Sequence, residues 1–208
     1  YGCGDPTRWI RSGDRVLDLG SGSGKNAFIC SQIVGPKGSV TGVDRNGEML
    51  ALSRDAAKQV AGAIGFANVQ FLEGAIEALD APADGDQPLI ADASVDVVLS
   101  NCVLNLVNPA ARDRLLANIR RVLVPGGRVA ISDIVCDKLV PLQLQQDPEL
   151  WSGCISGAWQ EEAFLQAFSE LGFEQVRYVD RSPEPWRVVE EIAFRSVTLT
   201  GQLPDEQN

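Results

Sequence analysis

The sequence of 208 residues contains no histidine, and its only methionine is Met49. Without an imidazole, reactions that depend on a histidine base or on a histidine-bound metal are excluded. Positive charge is also scarce, since 18 lysines and arginines face 28 aspartates and glutamates, which gives a formal net charge of −10. A chain with this much negative charge is poorly suited to binding nucleic acid or an anionic membrane surface, and we expect neither partner.

Long apolar runs and paired cysteines are missing as well. No segment approaches the roughly 18 consecutive apolar residues that a membrane-spanning helix needs, and no secretory signal peptide is recognisable. The cysteines are odd in number, widely spaced and without a CxxC pair; they are Cys3, Cys30, Cys102, Cys136 and Cys154. This pattern is typical of free thiols in a reducing compartment rather than of a disulfide framework, so we expect a cytoplasmic protein.

Short apolar runs alternate with segments of helical spacing along the chain. We predict helices at 26–35, 48–65, 110–123 and 160–172, and strands at 15–20, 39–44, 69–74, 95–101, 128–135, 174–180 and 193–200. Such alternation is typical of an α/β fold with a mostly parallel seven-stranded sheet, helices on both faces and one antiparallel edge strand. The proline- and acid-rich stretch 80–94 is expected to be a surface loop. We interpret residues 1–208 as a single domain.

A glycine-rich segment, "DLGSGSGKN" (18–26), joins the first predicted strand to the first helix. Its glycines allow a tight turn and let a ligand approach the backbone closely; they are Gly20, Gly22 and Gly24. Dinucleotide sites place a G-x-G-x-x-G turn at the same point, but the spacing here is G-x-G-x-G. Asp18 disfavours a pyrophosphate and suits a cationic amino-acid group. Asp44 ends the second predicted strand, where a carboxylate can accept both hydroxyls of a ribose.

This combination of acid, loop and acid resembles the S-adenosylmethionine-binding signature of the Rossmann-like class I methyltransferases. The resemblance implies S-adenosylmethionine as the cofactor, with its methionine moiety along the glycines and its ribose on Asp44. Where that family often carries an acid for the adenine amino group, this chain has Ala75, so adenine is expected to rest on Ile76 and Met49. The expected cofactor-binding residues are Asp18, Gly20, Ser21, Gly22, Gly24, Asp44, Arg45, Met49, Ala75, Ile76 and Asn101.

A cysteine follows the fourth predicted strand, within "SNCVLNL" (100–106), and in such methyltransferases this strand ends beside the transferred methyl group. Methyl transfer needs a nucleophile held in line with the breaking bond, and most oxygen or nitrogen nucleophiles also need a base. A nucleophile with a free lone pair needs no base, which fits the absence of histidine. Cys102 is therefore either a small apolar core residue or a ligand of the atom to be methylated.

Four motifs resemble those of the arsenite methyltransferases: "YGCG" (1–4), "SNCVLNLV" (100–107), "SDIV" (132–135) and "LWSGCISGA" (150–158). The likeness extends over essentially the whole chain. It implies a substrate of trivalent arsenic, free or as a thiol conjugate, bound by the thiolates of Cys3, Cys102 and Cys154. Soft thiolates suit a thiophilic centre, and three-coordinate As(III) keeps a lone pair that can attack the methyl group. The family also implies glutathione or a thioredoxin-type reductant as a partner.

Residues 1–14 and 141–158 are accordingly expected to be substrate-site segments, while Cys30 and Cys136 lie outside the motifs and are interpreted as packing thiols. Trp151 is interpreted as a core anchor, with a wall of the active site as the alternative. Two other functions stay open. One is methylation of a small organic acceptor with the cysteines as packing residues, and the other is a non-catalytic, thiol-based metalloid-binding protein. Structural zinc is disfavoured because its ligands usually come in close pairs.

Overall fold

The computed structural model describes residues 3–84 and 86–205. The strands are β1 (Arg15–Leu19), β2 (Ser39–Asp44), β3 (Val69–Glu73), β4 (Pro82–Asp84), β5 (Gln87–Pro88), β6 (Val95–Asn101), β7 (Leu123–Cys136), β8 (Trp159–Gln160), β9 (Glu174–Arg181), β10 (Arg187–Val189) and β11 (Ile192–Gln202). The α-helices are α1 (Lys25–Val34), α2 (Gly47–Ile64), α3 (Arg112–Val122), α4 (Leu142–Gln145), α5 (Pro148–Ser152) and α6 (Glu161–Glu170). Short 3-10 helices cover Pro6–Trp9, Gly35–Lys37, Ile76–Ala78, Leu104–Leu106 and Pro109–Ala111.

The main sheet has the strand order β10-β11-β7-β6-β1-β2-β3, with β8 beside β7 and β9 beside β11. The strands from β3 to β7 along this order pair in parallel, whereas β11 is antiparallel to β7, β9 and β10. This is the predicted α/β class with a parallel body and an antiparallel edge region. The predicted strands are all present, and the short β8 and β10 bring the sheet to nine strands within the described residues.

The sheet is apolar on both faces because helices cover both. In β1, Leu17 and Leu19 pack into the larger core cluster, while Val16 points to the opposite face and packs with α1. Because both faces are covered, Val16, Leu17 and Leu19 are all buried, with Asp18 buried between the two leucines. The helix boundaries also follow local chemistry, since the Asn46 side chain accepts the N–H groups of Glu48 and Met49 at the start of α2.

The structure departs from the predicted loop at 80–94, where β4 and β5 form a small separate hairpin. Tyr1 and Gly2 of the first motif lie outside the described residues. Among the residues that the structure describes, no helix is long and apolar enough to cross a bilayer.

Parallel pairing brings the carboxyl ends of β1, β2, β6 and β7 to one edge of the sheet. The glycine loop, Asp44 and Cys102 follow these ends, and the segment 141–158 returns to the same edge. Ligands of open parallel sheets bind at this edge.

Candidate functional site

A cavity of about 360 Å³ opens at this edge of the sheet. It combines a polar side, beside the first two strands, with an apolar side formed by the turn after β6. Its lining residues are Gly20, Asp44, Arg45, Gly74, Ile76, Glu77, Val103, Leu106, Val107, Asn108 and Trp151. Four of the residues expected to bind the cofactor are among them: Gly20, Asp44, Arg45 and Ile76.

The glycine loop has a backbone that only glycine adopts readily. Gly20 and Gly22 have φ values of 68° and 52°, in the left-handed region. A Cβ atom on Gly20 would lie 2.4 Å from a methyl carbon of Val103, so the residue also permits a close approach between the loop and the turn after β6. Gly22 donates its N–H to Asp44 Oδ2 at 2.8 Å, which ties the loop to the end of β2.

Asp44 lines the cavity with a carboxylate that is already oriented. Its Oδ1 accepts the N–H of Asn46 at 2.8 Å, while Oδ2 accepts that of Gly22. A carboxylate has about four acceptor positions, so this one retains capacity for further donors such as ribose hydroxyls. The geometry therefore fits the role predicted for Asp44.

Two buried polar groups beside the loop have no hydrogen-bond partner within the described part of the chain, Asp18 Oδ2 and Ser21 Oγ. Asp18 is 1% exposed. Burial, reinforced by the charge of Asp44, raises the pKa of Asp18 to about 7. A cationic ammonium group would satisfy the unpaired oxygen and return the carboxyl group to its charged form. The orphaned atoms and the glycine cradle thus fit the methionine end of S-adenosylmethionine.

The adenine side differs from the sequence expectation. Ile76 lines the cavity as predicted, whereas Met49 and Ala75 are not among its lining residues. Sequence reasoning missed Glu77, which places a carboxyl group on the cavity two residues after Ala75. The signal in the sequence was an acidic residue two positions after Ala75, the position at which the family often carries its acid. The roles of Met49 and Ala75 in cofactor binding stay predictions, as do those of Ser21 and Gly24.

The three motif cysteines meet next to this cavity. Cys3 and Cys102 are joined by a disulfide, with their Cα atoms 5.7 Å apart. Cys154 donates its thiol to the carbonyl oxygen of Cys102 at 3.5 Å. The expectation of free thiols is therefore wrong for Cys3 and Cys102, because the fold brings their sulfur atoms within bonding reach. The buried carboxylate of Asp133 lies within 4.8 Å of both sulfur atoms, a neighbour that sequence reasoning missed.

Backbone conformation separates Cys102 and Cys154 from the other cysteines, Cys3 included. Cys102 and Cys154 have φ values of 61° and 60°, which cost a non-glycine residue about 1 kcal/mol or more. Cys30 and Cys136 are not among the non-glycine residues with positive φ and are buried in the core, as packing thiols should be. Strained backbone of this kind concentrates at functional sites, so the conformation independently distinguishes Cys102 and Cys154.

All three free thiols are held in the protonated form. Burial, the largest cause, raises the pKa of Cys154 to about 12, with the charge of Asp133 adding to the effect. Burial likewise raises the pKa of Cys136 to about 12 and raises that of Cys30 further. None of these thiols is therefore a ready thiolate before a ligand arrives.

Two asparagines hold the cysteine segments in place. Asn101 accepts the N–H of Cys3 at 2.8 Å and donates to the carbonyl oxygen of Gly4 at 3.0 Å. Its side-chain amide thus binds the N-terminal segment, and its contact with the cofactor stays a prediction. The buried Asn105 donates to the carbonyl oxygens of Ile134 and Cys154, at 2.7 and 3.2 Å.

Trp151 connects the two halves of the site. Its side chain lines the cavity, and its carbonyl oxygen accepts the N–H of Cys154 at 3.0 Å. This position matches a wall of the active site better than the core anchor that the sequence favoured. Trp159, at the other end of the loop, instead packs against Phe164.

Comparison with known proteins gives a consistent result. A family model described as a methyltransferase domain matches residues 10–172. The chain is 39% identical over 183 residues to the arsenite methyltransferase of Aquipseudomonas alcaligenes, which covers 88% of this chain and 51% of the relative. It is 34% identical over 209 residues to that of Homo sapiens, covering 96% and 53%. The crystal structure of an arsenic(III) S-adenosylmethionine methyltransferase from Chlamydomonas reinhardtii matches with a TM-score of 0.86 at 33% identity, covering 100% of this chain and 69% of that chain.

The chain therefore belongs to the arsenic(III) S-adenosylmethionine methyltransferase family, within the class I methyltransferases, and its cofactor is S-adenosylmethionine. The resemblance drawn from the four motifs is confirmed. The chain spans about half the length of the curated relatives that it matches.

Proposed function

We propose that this chain transfers a methyl group from S-adenosylmethionine to trivalent arsenic held by Cys3, Cys102 and Cys154. The observation that carries the proposal is the meeting of these three cysteines, from three distant segments, beside a cavity whose glycine loop and acids fit the cofactor. When bound, S-adenosylmethionine supplies an electrophilic methyl group on a sulfonium. Trivalent arsenic keeps a lone pair after binding three thiolates, so the chain needs no histidine base.

The residues around the cavity have separate tasks in this proposal. Asp44 holds the ribose, and Asp18 pairs with the ammonium group of the methionine moiety. Trp151 and Val103 exclude water from the side of the cavity that faces the cysteines, since both line it there. Water exclusion matters because arsenic thiolates exchange their ligands with water.

Substrate binding begins with reduction of the Cys3–Cys102 disulfide. Two molecules of a small thiol such as glutathione, or one dithiol of a thioredoxin-type protein, supply the two electrons and two protons and become a disulfide themselves. Three thiols then displace three hydroxide ligands of arsenite, and each thiol proton leaves with a hydroxide as water. The high pKa of Cys154 is compatible with this exchange, because the proton is transferred to a departing ligand. A reducing, cytoplasmic location and a single domain are parts of the same proposal.

The proposal is tested by incubating the chain with arsenite, S-adenosylmethionine and excess glutathione, and by separating and counting the arsenic species. We expect methylated arsenic from the wild type and at least a hundredfold less from Cys102→Ser and Cys154→Ser. The matched control is Cys30→Ser, whose buried thiol lies in α1 away from the cluster. Equal methylation by Cys102→Ser would assign the cysteines to packing and turn the search to organic acceptors. Arsenic binding without any cofactor binding would instead favour a metalloid-binding protein.

A further inference from the structure

Arg112 occupies a position that is electrostatically unfavourable. It is the first residue of α3, where the helix dipole disfavours a cation, and its side chain is half-buried against the loop 153–158. Burial lowers the pKa of its guanidinium, and its Nε has no hydrogen-bond partner within the described residues. An arginine kept at such a place needs a compensating interaction.

The charge of Asp133 opposes the lowering of the pKa of Arg112, and the direct contacts of the guanidinium are with the segment that carries Cys154. Arg112 Nη2 donates to the carbonyl oxygen of Gly157 at 2.5 Å. Its guanidinium carbon also lies 4.4 Å from the ring centroid of Trp159, which is a cation–π contact. The same side chain thus contacts one backbone carbonyl and one aromatic ring that follow Cys154 in the chain.

The loop is also held from its N-terminal side, where Leu150 accepts the N–H of Ile155 at 3.0 Å and the Ser156 hydroxyl donates to the carbonyl oxygen of Leu144 at 2.7 Å. Cys154 itself is in the left-handed region, and its carbonyl oxygen is held by Asn105 at 3.2 Å. Gly157 approaches Asn105 so closely that a Cβ atom would lie only 1.9 Å from the carbonyl oxygen of that residue. Asn105 and Arg112 therefore contact the loop from two directions. Such contacts matter because a strained backbone conformation persists only where neighbouring residues fix it.

We propose that Arg112 is a positioning residue for the third arsenic ligand: by clamping Gly157 and Trp159 it keeps the Cys154 sulfur at the Cys102 carbonyl, where a three-thiolate site closes. The inference rests on the proposed function and deepens it. Arg112 does not touch arsenic or the cofactor; it sets whether arsenic is bound by three sulfur atoms or by two. A lysine would retain the charge but neither the planar stacking nor the fork of donors.

The test uses the full chain after reduction, with arsenite alone as the probe. Arg112→Met is expected to weaken As(III) binding about tenfold, and arsenic X-ray absorption should show two sulfur ligands and one oxygen in place of three sulfurs. Affinity for S-adenosylhomocysteine should stay within twofold. Arg112→Lys should recover part of the loss. Arg120→Met is the matched control, because Arg120 is an exposed arginine of the same helix that donates to the carbonyl oxygen of Leu171, away from the cysteines.

A double variant separates positioning from general weakening. If Arg112 acts through Cys154, Arg112→Met should cause no further loss of affinity in a Cys154→Ser background, whereas a merely structural role would weaken both backgrounds equally. Equal weakening, or three sulfur ligands in Arg112→Met, overturns the inference alone. Absence of As(III) binding by the wild type, or unchanged binding by Cys154→Ser, overturns the proposed function and this inference with it. Should Arg112→Met fail to fold, Arg112→Lys carries the same comparisons with a smaller shift.

Discussion

The two halves of the site lie at the same edge of one sheet but are built in different ways. The cofactor half comes from two neighbouring strand ends, and its decisive contact joins Gly22 to Asp44 at 2.8 Å. The cysteine half comes from three segments, and its first two cysteines are 99 positions apart in the sequence. Local backbone chemistry organises the first half, whereas the second exists only because the chain folds around it. Damage to one half should therefore leave the other measurably intact.

The largest effect is expected from Asp44→Ala. This variant removes the acceptor for the Gly22 N–H and the proposed ribose ligand, and two charge-assisted hydrogen bonds correspond to about a hundredfold in affinity. Calorimetry with S-adenosylhomocysteine should show that loss, while As(III) affinity stays unchanged. The matched control is Glu73→Ala, an exposed acid at the end of the adjacent β3. Loss of both affinities in Asp44→Ala would mean that the halves are not separable.

The complementary experiment alters the cysteine half through the backbone of its loop. Gly157→Ala forces a Cβ atom against the carbonyl oxygen of Asn105, so we expect about tenfold weaker As(III) binding and a loss of about 1–3 kcal/mol in the free energy of unfolding. Binding of S-adenosylhomocysteine should not change. Gly153→Ala is the control, since its nearest atoms lie 3.6 Å away. Equal effects at both glycines would show that the close approach to Asn105 is not what limits the loop.

A pH dependence is expected in the cofactor half. With the pKa of Asp18 at about 7, its charged fraction rises from about a tenth at pH 6 to about nine tenths at pH 8, so affinity for the ammonium-bearing S-adenosylhomocysteine should rise about tenfold. Asp18→Asn should flatten this profile.

The free energy of unfolding should change with pH in the opposite direction to the affinity for S-adenosylhomocysteine, and should fall as the pH rises. The folded pKa of Asp18 lies above its unfolded value, so its ionisation penalises the folded state increasingly between pH 4 and pH 7. Asp18→Asn should remove that part of the decline, as measured by urea unfolding at each pH. An unchanged affinity profile in Asp18→Asn would refute the ammonium pairing.

The smallest effect is a difference in stability that should distinguish a cysteine with positive φ from a cysteine in a helix. At Cys102, with φ of 61°, Cys102→Gly should be about 1 kcal/mol more stable than Cys102→Ala in the reduced protein. At Cys30, inside α1, the order should reverse, because alanine favours a helix by about 1 kcal/mol over glycine. Urea unfolding measures both pairs. The same order at both positions would remove the backbone argument for Cys102.

Sequence reasoning succeeded where a function is encoded in contiguous residues. The alternation of apolar runs predicted each long strand, and the glycine spacing predicted the tight turn before the first helix, because turn conformation is a short-range property. It failed where contacts join distant segments. The Cys3–Cys102 disulfide and Asp133 beside it depend on three-dimensional neighbours that no spacing reveals.

The sequence by itself determined the sheet, the helices and the glycine loop of this protein, and its four motifs determined the family. Only the tertiary structure decided that Asn101, which the sequence assigned to the cofactor, binds the backbone of Cys3, that Trp151 lines the cavity, and that Arg112 supports the Cys154 loop. The physical reason is the distance along the chain over which each kind of interaction acts. Backbone conformation and hydrophobic periodicity act over a few residues, whereas the pairing of buried polar groups is settled only when packing brings distant residues together.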